Sequence, residues 1–358
     1  MRMFKRILKT LLAVLLALIL VIGGYVAYVF LAYHRIGDET LTPTELNAEA
    51  IPVSAVHTIL SYNVGFGAYE ADYGFFMDGG TESRAWSVER LEANLANIRA
   101  LVEERNADLC ILQEVDIGST RSYGMDQRTY FTFDGKASVF AQNYDSPYLF
   151  YPIFRPHGAS KSGILTLSSF PVTEAERVEL PVESGAMKIL DLDRCYSKSR
   201  IPASDGKDLV LYNFHLSAYT SDGKIALEQL KLILDDIDAE YAKGNYCIAG
   251  GDFNKDILGD SSVYFGKSDI EYTWAQPIPE GTFDGRSAKL VAPLDPSSPV
   301  PSCRNADGPY HPGQYVLTID GFLVTPNVTV ISSEVVDTGF AYSDHNPVSM
   351  TFVLDGGS

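Results

Sequence analysis

Near its start the chain has a long apolar segment that does not fit an ordinary water-soluble core. Residues 11–32 read LLAVLLALILVIGGYVAYVFLA and contain no charged side chain. A helix of this length extends about 33 Å, close to the thickness of the hydrocarbon core of a bilayer. We therefore expect a transmembrane helix here, and a water-soluble fold only in the residues that follow it.

Charged residues are distributed unevenly around this segment. Four basic side chains precede it within residues 2–9, whereas Asp38 and Glu39 follow it. By the positive-inside rule, the N-terminus lies in the cytoplasm and the chain after the helix lies outside the cytoplasmic membrane. A cleaved signal peptide is the alternative, although its apolar region would be about 7–15 residues long and would end in a small-residue cleavage site. In both interpretations the same domain is exported.

The chain divides into three parts. Residues 1–35 are interpreted as a cytoplasmic tip and a membrane anchor. Residues 36–52 are polar, contain two prolines and show no periodic pattern, which is typical of a short linker. Residues 53–358 are the folded part, since 46% of the chain is hydrophobic and can fill a large core, and length alone would allow them one domain or two.

The folded part is strongly acidic. The chain has 28 Lys and Arg against 46 Asp and Glu, a formal net charge of −18. Five of the basic residues lie among the first 35, which contain no acid, so the remainder is more acidic still. Such a surface disfavours binding of extended duplex nucleic acid through its phosphates, without excluding cleavage at a locally basic site.

The four cysteines occur in two kinds of surroundings. Cys110 and Cys247 lie in apolar runs, where cysteine commonly acts as a small buried hydrophobe, and we expect free thiols. Cys195 and Cys303 lie in polar, loop-like surroundings, where an oxidising exterior would permit a disulfide between them. The sequence leaves that pairing open.

The pattern of apolar residues predicts a mixed α/β fold. Helices are expected at 86–105 and 225–241, where apolar residues recur every three or four positions. Several strands follow one another between Tyr148 and Leu216, which favours antiparallel or mixed sheets packed as a sandwich with helices outside. Residues 255–312 are rich in proline and are expected to be irregular, either functional or a surface insertion. Strands are predicted at 57–64, 107–114, 162–170, 207–216, 245–253, 315–324 and 347–354.

Polar residues stand at the ends of predicted strands or interrupt them. Taken singly, each has an ordinary explanation as a turn residue, a cap or a buried histidine. Together they would supply an acidic, oxygen-rich metal site and two imidazoles. The residues are Asn63, Glu114, Asn213, His215, Asp252, Asn254, Asp320, Asp344 and His345.

The order and the amino acids of these motifs resemble those of the endonuclease/exonuclease/phosphatase superfamily, also called the DNase I-like fold. The most specific matches are GGDFN at 250–254 and SDHNP at 343–347, and QEV at 113–115 and N-x-H at 213–215 are looser. The resemblance extends from near Val53 to Leu354 and implies that residues 53–358 are one catalytic domain. It implies a four-layer α/β sandwich of two mixed, mostly antiparallel sheets flanked by helices, and metal-dependent hydrolysis of phosphate esters.

The resemblance also implies a metal site. Glu114 matches the family's metal-ligand glutamate, Asn63 matches the asparagine that helps organise the metal, and Asp344 matches the aspartate on the metal side. Carboxylate oxygens suit a hard divalent cation, so Mg²⁺ is expected, with Mn²⁺ as the alternative.

The same resemblance implies the catalytic roles. Asp252 matches the aspartate that aligns or deprotonates the attacking water, and Asn254 matches its phosphate-orienting neighbour. His215 and His345 match the two histidines that contact the scissile phosphate. Asp320 matches the acid that orients the second of these histidines.

Three arginines outside these motifs are candidates for substrate binding. Arg121, Arg194 and Arg200 lie near the motifs in sequence, and arginine can hold phosphate oxygens in a bidentate manner. Pairing with surface acids is the alternative for each of them.

We therefore expect an anchored, Mg²⁺-dependent phosphoric ester hydrolase outside the cytoplasmic membrane. Its substrate would be a phosphodiester or phosphomonoester, either a small molecule or a lipid near the membrane. An exported nuclease is the main alternative. A phosphate-binding module without activity is a third hypothesis.

Overall fold

The computed structural model describes residues 2–184, 193–218, 224–266 and 274–356. Four α-helices lie in these ranges: α1 (Arg2–Ala32), α2 (Val88–Arg105), α3 (Lys224–Ala242) and α4 (Ser262–Phe265). Helix α2 begins after Ser87, whose side chain accepts a hydrogen bond from the backbone of Arg90, and ends at Asn106 in the left-handed conformation. Both predicted helices are confirmed.

Fifteen strands are found in the described ranges. They are β1 (Glu39–Leu41), β2 (Val56–Asn63), β3 (Leu109–Asp116), β4 (Ala137–Asp145), β5 (Lys161–Ser168), β6 (Glu174–Glu179), β7 (Cys195–Pro202), β8 (Asp208–His215), β9 (Tyr246–Asp252), β10 (Lys289–Val291), β11 (Cys303–Arg304), β12 (Val316–Leu317), β13 (Asp320–Val324), β14 (Val328–Val335) and β15 (Val348–Leu354).

The strands form two large mixed sheets and a short ribbon. The first sheet has the order β1-β6-β7-β8-β9-β13-β10, the second has the order β14-β15-β2-β3-β5-β4, and β11 pairs with β12. Most neighbours are antiparallel. The parallel pairs are β2 with β3 and β8 with β9. Parallel neighbours need a crossover connection, and α2 and α3 provide it.

Three apolar clusters join four layers. Leu95 and Ile98 of α2 pack with Leu112 of the second sheet, and Ile233 of α3 packs with Phe214 of the first. The cluster between the two sheets includes Ile59, Ile111, Leu211, Ile248 and Phe322. The predicted four-layer sandwich is confirmed.

Residues 36–52 lie along this domain and differ from the linker that we expected. Strand β1 pairs with β6 at the edge of the first sheet, and Ile51 is fully buried. The buried guanidinium of Arg177 donates hydrogen bonds to the backbone oxygens of Ile36 and Gly37. These contacts fix a polar segment that has no periodic pattern of its own.

The disulfide considered from sequence is not formed. All four cysteines are buried and free. Cys195 begins β7 and lies near the backbone oxygen of Gln142, whereas Cys303 begins β11 and contacts His345. Polar neighbours in the sequence made these positions look like loops, but both cysteines point into apolar clusters.

Helix α1 is exposed along most of its length. Its apolar window has a mean hydropathy of 2.7, so by length and composition α1 can cross a membrane. Signal sequences share these properties.

Candidate active site

The motif residues meet at one end of the sandwich, where the parallel strands terminate. Asn63 is the last residue of β2, and Glu114 lies two residues before the end of the neighbouring β3. His215 ends β8 and lies opposite Asp252, which ends β9. Asp320 begins β13 and also lies opposite Asp252. The strands of both sheets therefore bring residues from distant parts of the chain to one end of the sandwich.

Asp252 is at the centre of this arrangement and is almost completely buried. Its Oδ2 accepts a hydrogen bond from Nδ2 of Asn63 at 3.1 Å, and its Oδ1 accepts one from the backbone N–H of Asn254 at 2.8 Å. The Nε2 atoms of His215 and His345 lie 3.4 Å and 3.7 Å from Oδ2. One carboxylate thus contacts four other motif residues.

The glycines of GGDFN allow this close packing. A Cβ atom on Gly251, which has φ +141°, would lie 1.9 Å from the backbone oxygen of Phe214. A Cβ atom on Gly250 would lie 2.7 Å from Phe322 and 2.8 Å from Ile111. Larger residues would separate β9 from its neighbours and displace Asp252.

Asp252 is protonated more readily in this pocket than an aspartate in water. Burial raises the pKa of Asp252 to about 7; the neighbouring Asp320 adds to this effect, and His345 opposes it. A carboxyl group in this range can accept a proton at neutral pH and release it again.

The two histidines have opposite electrostatic environments. Burial opposes the charge of His345, but Asp320 and other acids outweigh burial and hold its pKa well above the usual value. Burial and the charge of Arg194 hold the pKa of His215 well below the usual value. The surroundings therefore favour the charged form of His345 and the neutral form of His215.

Asp320 fixes the ring of His345. Its Oδ2 lies 2.8 Å from Nδ1 of His345 and also accepts a hydrogen bond from Oγ of Ser302 at 2.7 Å. Nε2 of His345 is thereby directed toward Asp252.

Glu114 occupies a strained position at the pocket. Its φ of +57° falls in the left-handed region, within an irregularity of the β3–β5 pairing between Leu112 and Val115. Strain of this kind costs on the order of 1–3 kcal/mol and is concentrated at functional sites. The bulge directs the carboxylate toward Asn63, whose Nδ2 lies 3.3 Å from Oε1.

The acidic groups fit a divalent cation. Burial is the main cause of the raised pKa of Asp344, and the nearby charge of Glu114 adds to it. Neighbouring carboxylates of like charge form an oxygen donor set that a hard cation would stabilise. A second group, with ligand atoms within 4.8 Å of one another, contains Asp252, Asp320 and His345.

The structure brings two of the three candidate arginines to the pocket. Arg121 is buried, holds Asp116 through two hydrogen bonds and lies 3.7 Å from Glu114. Arg194 also lines the pocket. Arg200 instead pairs with Glu240 of α3 at 2.6 Å and does not lie among the described residues that line the pocket.

Asn213 of the N-x-H motif lies between the sheets. Its Oδ1 accepts a hydrogen bond at 2.8 Å from Nε2 of Gln113, which directly precedes Glu114. Its Nδ2 donates to the backbone oxygens of Leu112 and Leu165. Asn213 therefore links the strand that carries Glu114 to the strand that carries His215.

Several pocket residues were not identified from sequence because they lie outside the motifs. The 255–312 region supplies part of the pocket wall, which agrees with a functional role for that region rather than with a surface insertion. These residues are Trp274, Cys303, Arg304, Asn305 and Ala306. Tyr69, Phe75, Met77 and His157 also line the pocket.

Residues 60–345 match the model of the Endonuclease/Exonuclease/phosphatase family, and the chain belongs to this family. The family includes phosphatases, nucleases and phosphodiesterases, and its members generally hydrolyse phosphoester bonds. Comparison with curated proteins found no match.

Solved structures share the fold at low sequence identity. An endonuclease/exonuclease/phosphatase from Beutenbergia cavernae is 18% identical with a TM-score of 0.56, and the match covers 84% of this chain and 72% of that one. ANGEL2, described as a 2′,3′-cyclic phosphatase, is 15% identical with a TM-score of 0.56, covering 88% and 99%. TDP2 of D. rerio, solved with a single-strand DNA product, is 15% identical with a TM-score of 0.51, covering 84% and 99%. These likenesses concern the fold.

Proposed function

We propose that this protein is a metal-dependent phosphoric ester hydrolase whose domain acts outside the cytoplasmic membrane. The observation that carries the proposal is the convergence of His215, Asp252 and His345 in one pocket that Glu114 also lines. In-line attack on phosphorus requires an oriented water, neutralisation of charge and protonation of the leaving group. The residues of this pocket can meet these requirements.

Asp252 is suited to act as the base. Its carboxylate is held by Asn63 and Asn254, so a water bound to it has a defined position. Its raised pKa makes it a better proton acceptor than an exposed aspartate at neutral pH.

The histidines are suited to the phosphate and the leaving group. His345, held as an imidazolium by Asp320, can stabilise a phosphate oxygen or donate a proton to the departing oxygen. His215, which stays neutral, can donate one hydrogen bond without adding charge beside Asp252.

Glu114 and Asp344, with Asn63, would hold Mg²⁺, with Mn²⁺ as the alternative. The cation would supply positive charge to the phosphate oxygens in the transition state. Asn63 donates to Glu114 and Asp252, and it therefore fixes the position of the acids on both sides of the pocket.

The expected substrate is a compact or membrane-presented phosphate ester. The net charge of −18 disfavours an extended polyanion, and α1 would keep the domain close to a bilayer. If duplex DNA were the substrate, affinity would fall by about 0.9 logarithmic units per phosphate contact for each tenfold rise in salt.

A panel of substrates tests this proposal. The full chain in detergent micelles is assayed with Mg²⁺ or a chelator on sphingomyelin, phosphoinositides, a generic phosphodiester and monoester, RNA, and single- and double-stranded DNA. Chelator-sensitive hydrolysis of a lipid or small ester is the expected result. Efficient cleavage of duplex DNA alone at physiological salt would favour the nuclease alternative, and no hydrolysis of any substrate would contradict the proposal.

The orientation of the anchor needs its own test. In intact cells, external protease should cleave exposed loops of the domain, while the membrane fraction keeps Arg2. A soluble product that begins near residue 30 would show a cleaved signal peptide instead.

A further inference from the structure

The loop between β4 and β5 exposes an unusual amount of apolar surface. Residues 147–154 read PYLFYPIF and contain no charge. Phe150, Tyr151, Ile153 and Phe154 are 58%, 66%, 73% and 102% exposed. A contiguous set of large exposed apolar side chains is typical of an interaction surface, since single exposed residues are ordinary but clusters are not.

This loop is attached to the C-terminal part of α1. The hydroxyl of Tyr25 donates to the backbone oxygen of Tyr148 at 3.2 Å and accepts from the backbone N–H of Phe150 at 2.9 Å. The hydroxyl of Tyr28 accepts from the N–H of Tyr148 at 3.1 Å. The rings of Tyr25 and Phe150 also meet edge to face, 5.9 Å apart.

The position of these tyrosines along α1 determines the depth of the loop. Tyr25 and Tyr28 lie about 10 Å and 6 Å from the end of the helix at Ala32. If α1 crosses a bilayer, this is the layer where aromatic side chains concentrate. Backbone groups in that layer need internal partners, and the two hydroxyls provide them for the loop.

We propose that residues 148–154 insert into the outer leaflet of the bilayer that α1 crosses and form a second membrane contact. A lipid surface fits this loop because the loop has no charged residue and continues the apolar surface of α1. The aromatic rings and Ile153 would lie among the head groups and upper acyl chains.

The insertion would place the candidate active site beside the membrane surface. The ring of Phe76 packs against Tyr151 at 5.7 Å and against His157 at 5.8 Å, and His157 lines the pocket. The backbone N–H of His157 donates to the oxygen of Tyr151 at 3.0 Å. Resting on the proposed function, this connection predicts that the pocket receives phosphate esters that the membrane presents.

A matched pair of labelled variants tests the insertion in the full chain. Ile153→Cys and Ile331→Cys replace exposed isoleucines, and Ile331, 55% exposed on β14, serves as the control. The native cysteines are buried, so a polarity-sensitive dye labels the new thiol. Each protein is reconstituted in phosphatidylcholine vesicles that contain spin-labelled lipid in both leaflets.

The lipid quencher should reduce the emission at position 153 at least about threefold more than at position 331, and aqueous iodide should act more strongly at 331. Equal iodide access at both positions, without lipid quenching, would overturn the proposal. Protection of position 153 from iodide without lipid quenching would also overturn it, because a second protein surface would then cover the loop.

This readout does not depend on catalysis, so the insertion and the proposed function can fail separately. A Phe150→Ser/Phe154→Ser double variant then tests the link between them. Hydrolysis of a vesicle-bound ester should fall by at least about tenfold, while hydrolysis of a soluble ester stays unchanged. Equal loss on both substrates would contradict the link to the pocket.

Discussion

Oδ2 of Asp320 lies 2.8 Å from Nδ1 of His345, and this contact orients the imidazole ring. Because Asp320 begins β13 and His345 precedes β15, the contact links the two sheets at the pocket. It leaves Nε2 directed toward Asp252, and the charge of Asp320 raises the pKa of His345.

We predict that Asp320→Asn lowers kcat by at least about 100-fold, because the amide cannot supply the charge that holds the imidazolium. Asp134→Asn, on an exposed turn, is the matched control. The measurement is kcat and KM on the substrate found in the panel, together with the unfolding temperature. Unchanged kcat in a folded variant would exclude this role for Asp320.

Glu114→Gln should change metal dependence more than folding. The substitution removes a charged oxygen ligand at nearly constant volume, so the Mg²⁺ concentration for half-maximal activity should rise at least about tenfold. Glu334→Gln, at an exposed position of β14, should leave that concentration unchanged. Identical Mg²⁺ titrations for both variants would remove Glu114 from the metal site.

Glu240 should contribute to stability rather than activity. Its side chain is buried and accepts hydrogen bonds from Arg200 and Asn245, among others. Burial favours a higher pKa, but these partners outweigh burial and hold the pKa well below the usual value. A carboxyl group with a lowered folded-state pKa stabilises the fold above its unfolded value of about 4.3 and loses that contribution as the pH falls further.

Glu240→Gln should therefore lower the free energy of unfolding by about 2–3 kcal/mol at pH 7, and by less near pH 3. Glu228→Gln, exposed on the same helix, is the control. Denaturant unfolding at both pH values measures the difference. A constant difference between them would contradict the ionised state of Glu240.

The thiols provide a simple chemical check. Four free, buried cysteines should react with a thiol reagent only after unfolding, and a reducing agent should not change the unfolding temperature. Two reactive thiols under denaturing, non-reducing conditions would show a disulfide.

Much of the fold and of the site could be predicted from local motifs, because each motif is an apolar strand that ends in polar residues. Asp252 and His345 could be predicted because GGDFN and SDHNP resemble family motifs in which those two side chains are catalytic. For Arg200 the sequence leaves substrate binding and pairing with an acid open, because its partner, Glu240, lies 40 residues away on α3. No local pattern reveals such a pair.

The other differences between the sequence-based expectations and the structure also come from contacts between residues that are distant in the sequence. Residues 36–52 lack periodicity, but Arg177 and the free edge of β6 fix them to the domain. The apolar side chains of 147–154 are exposed beside Tyr25, more than 120 residues away in sequence, and no local pattern reveals this contact.

The most direct test of the proposed chemistry is a comparison of Asp252→Asn with the unchanged full chain at saturating Mg²⁺. Asparagine keeps the size of the side chain but cannot accept the proton of the attacking water. We predict that kcat for the substrate found in the panel falls by at least about 100-fold, with the unfolding temperature within a few degrees of the unchanged chain. Activity within about twofold of the unchanged chain would contradict the assignment of this pocket as the hydrolytic site.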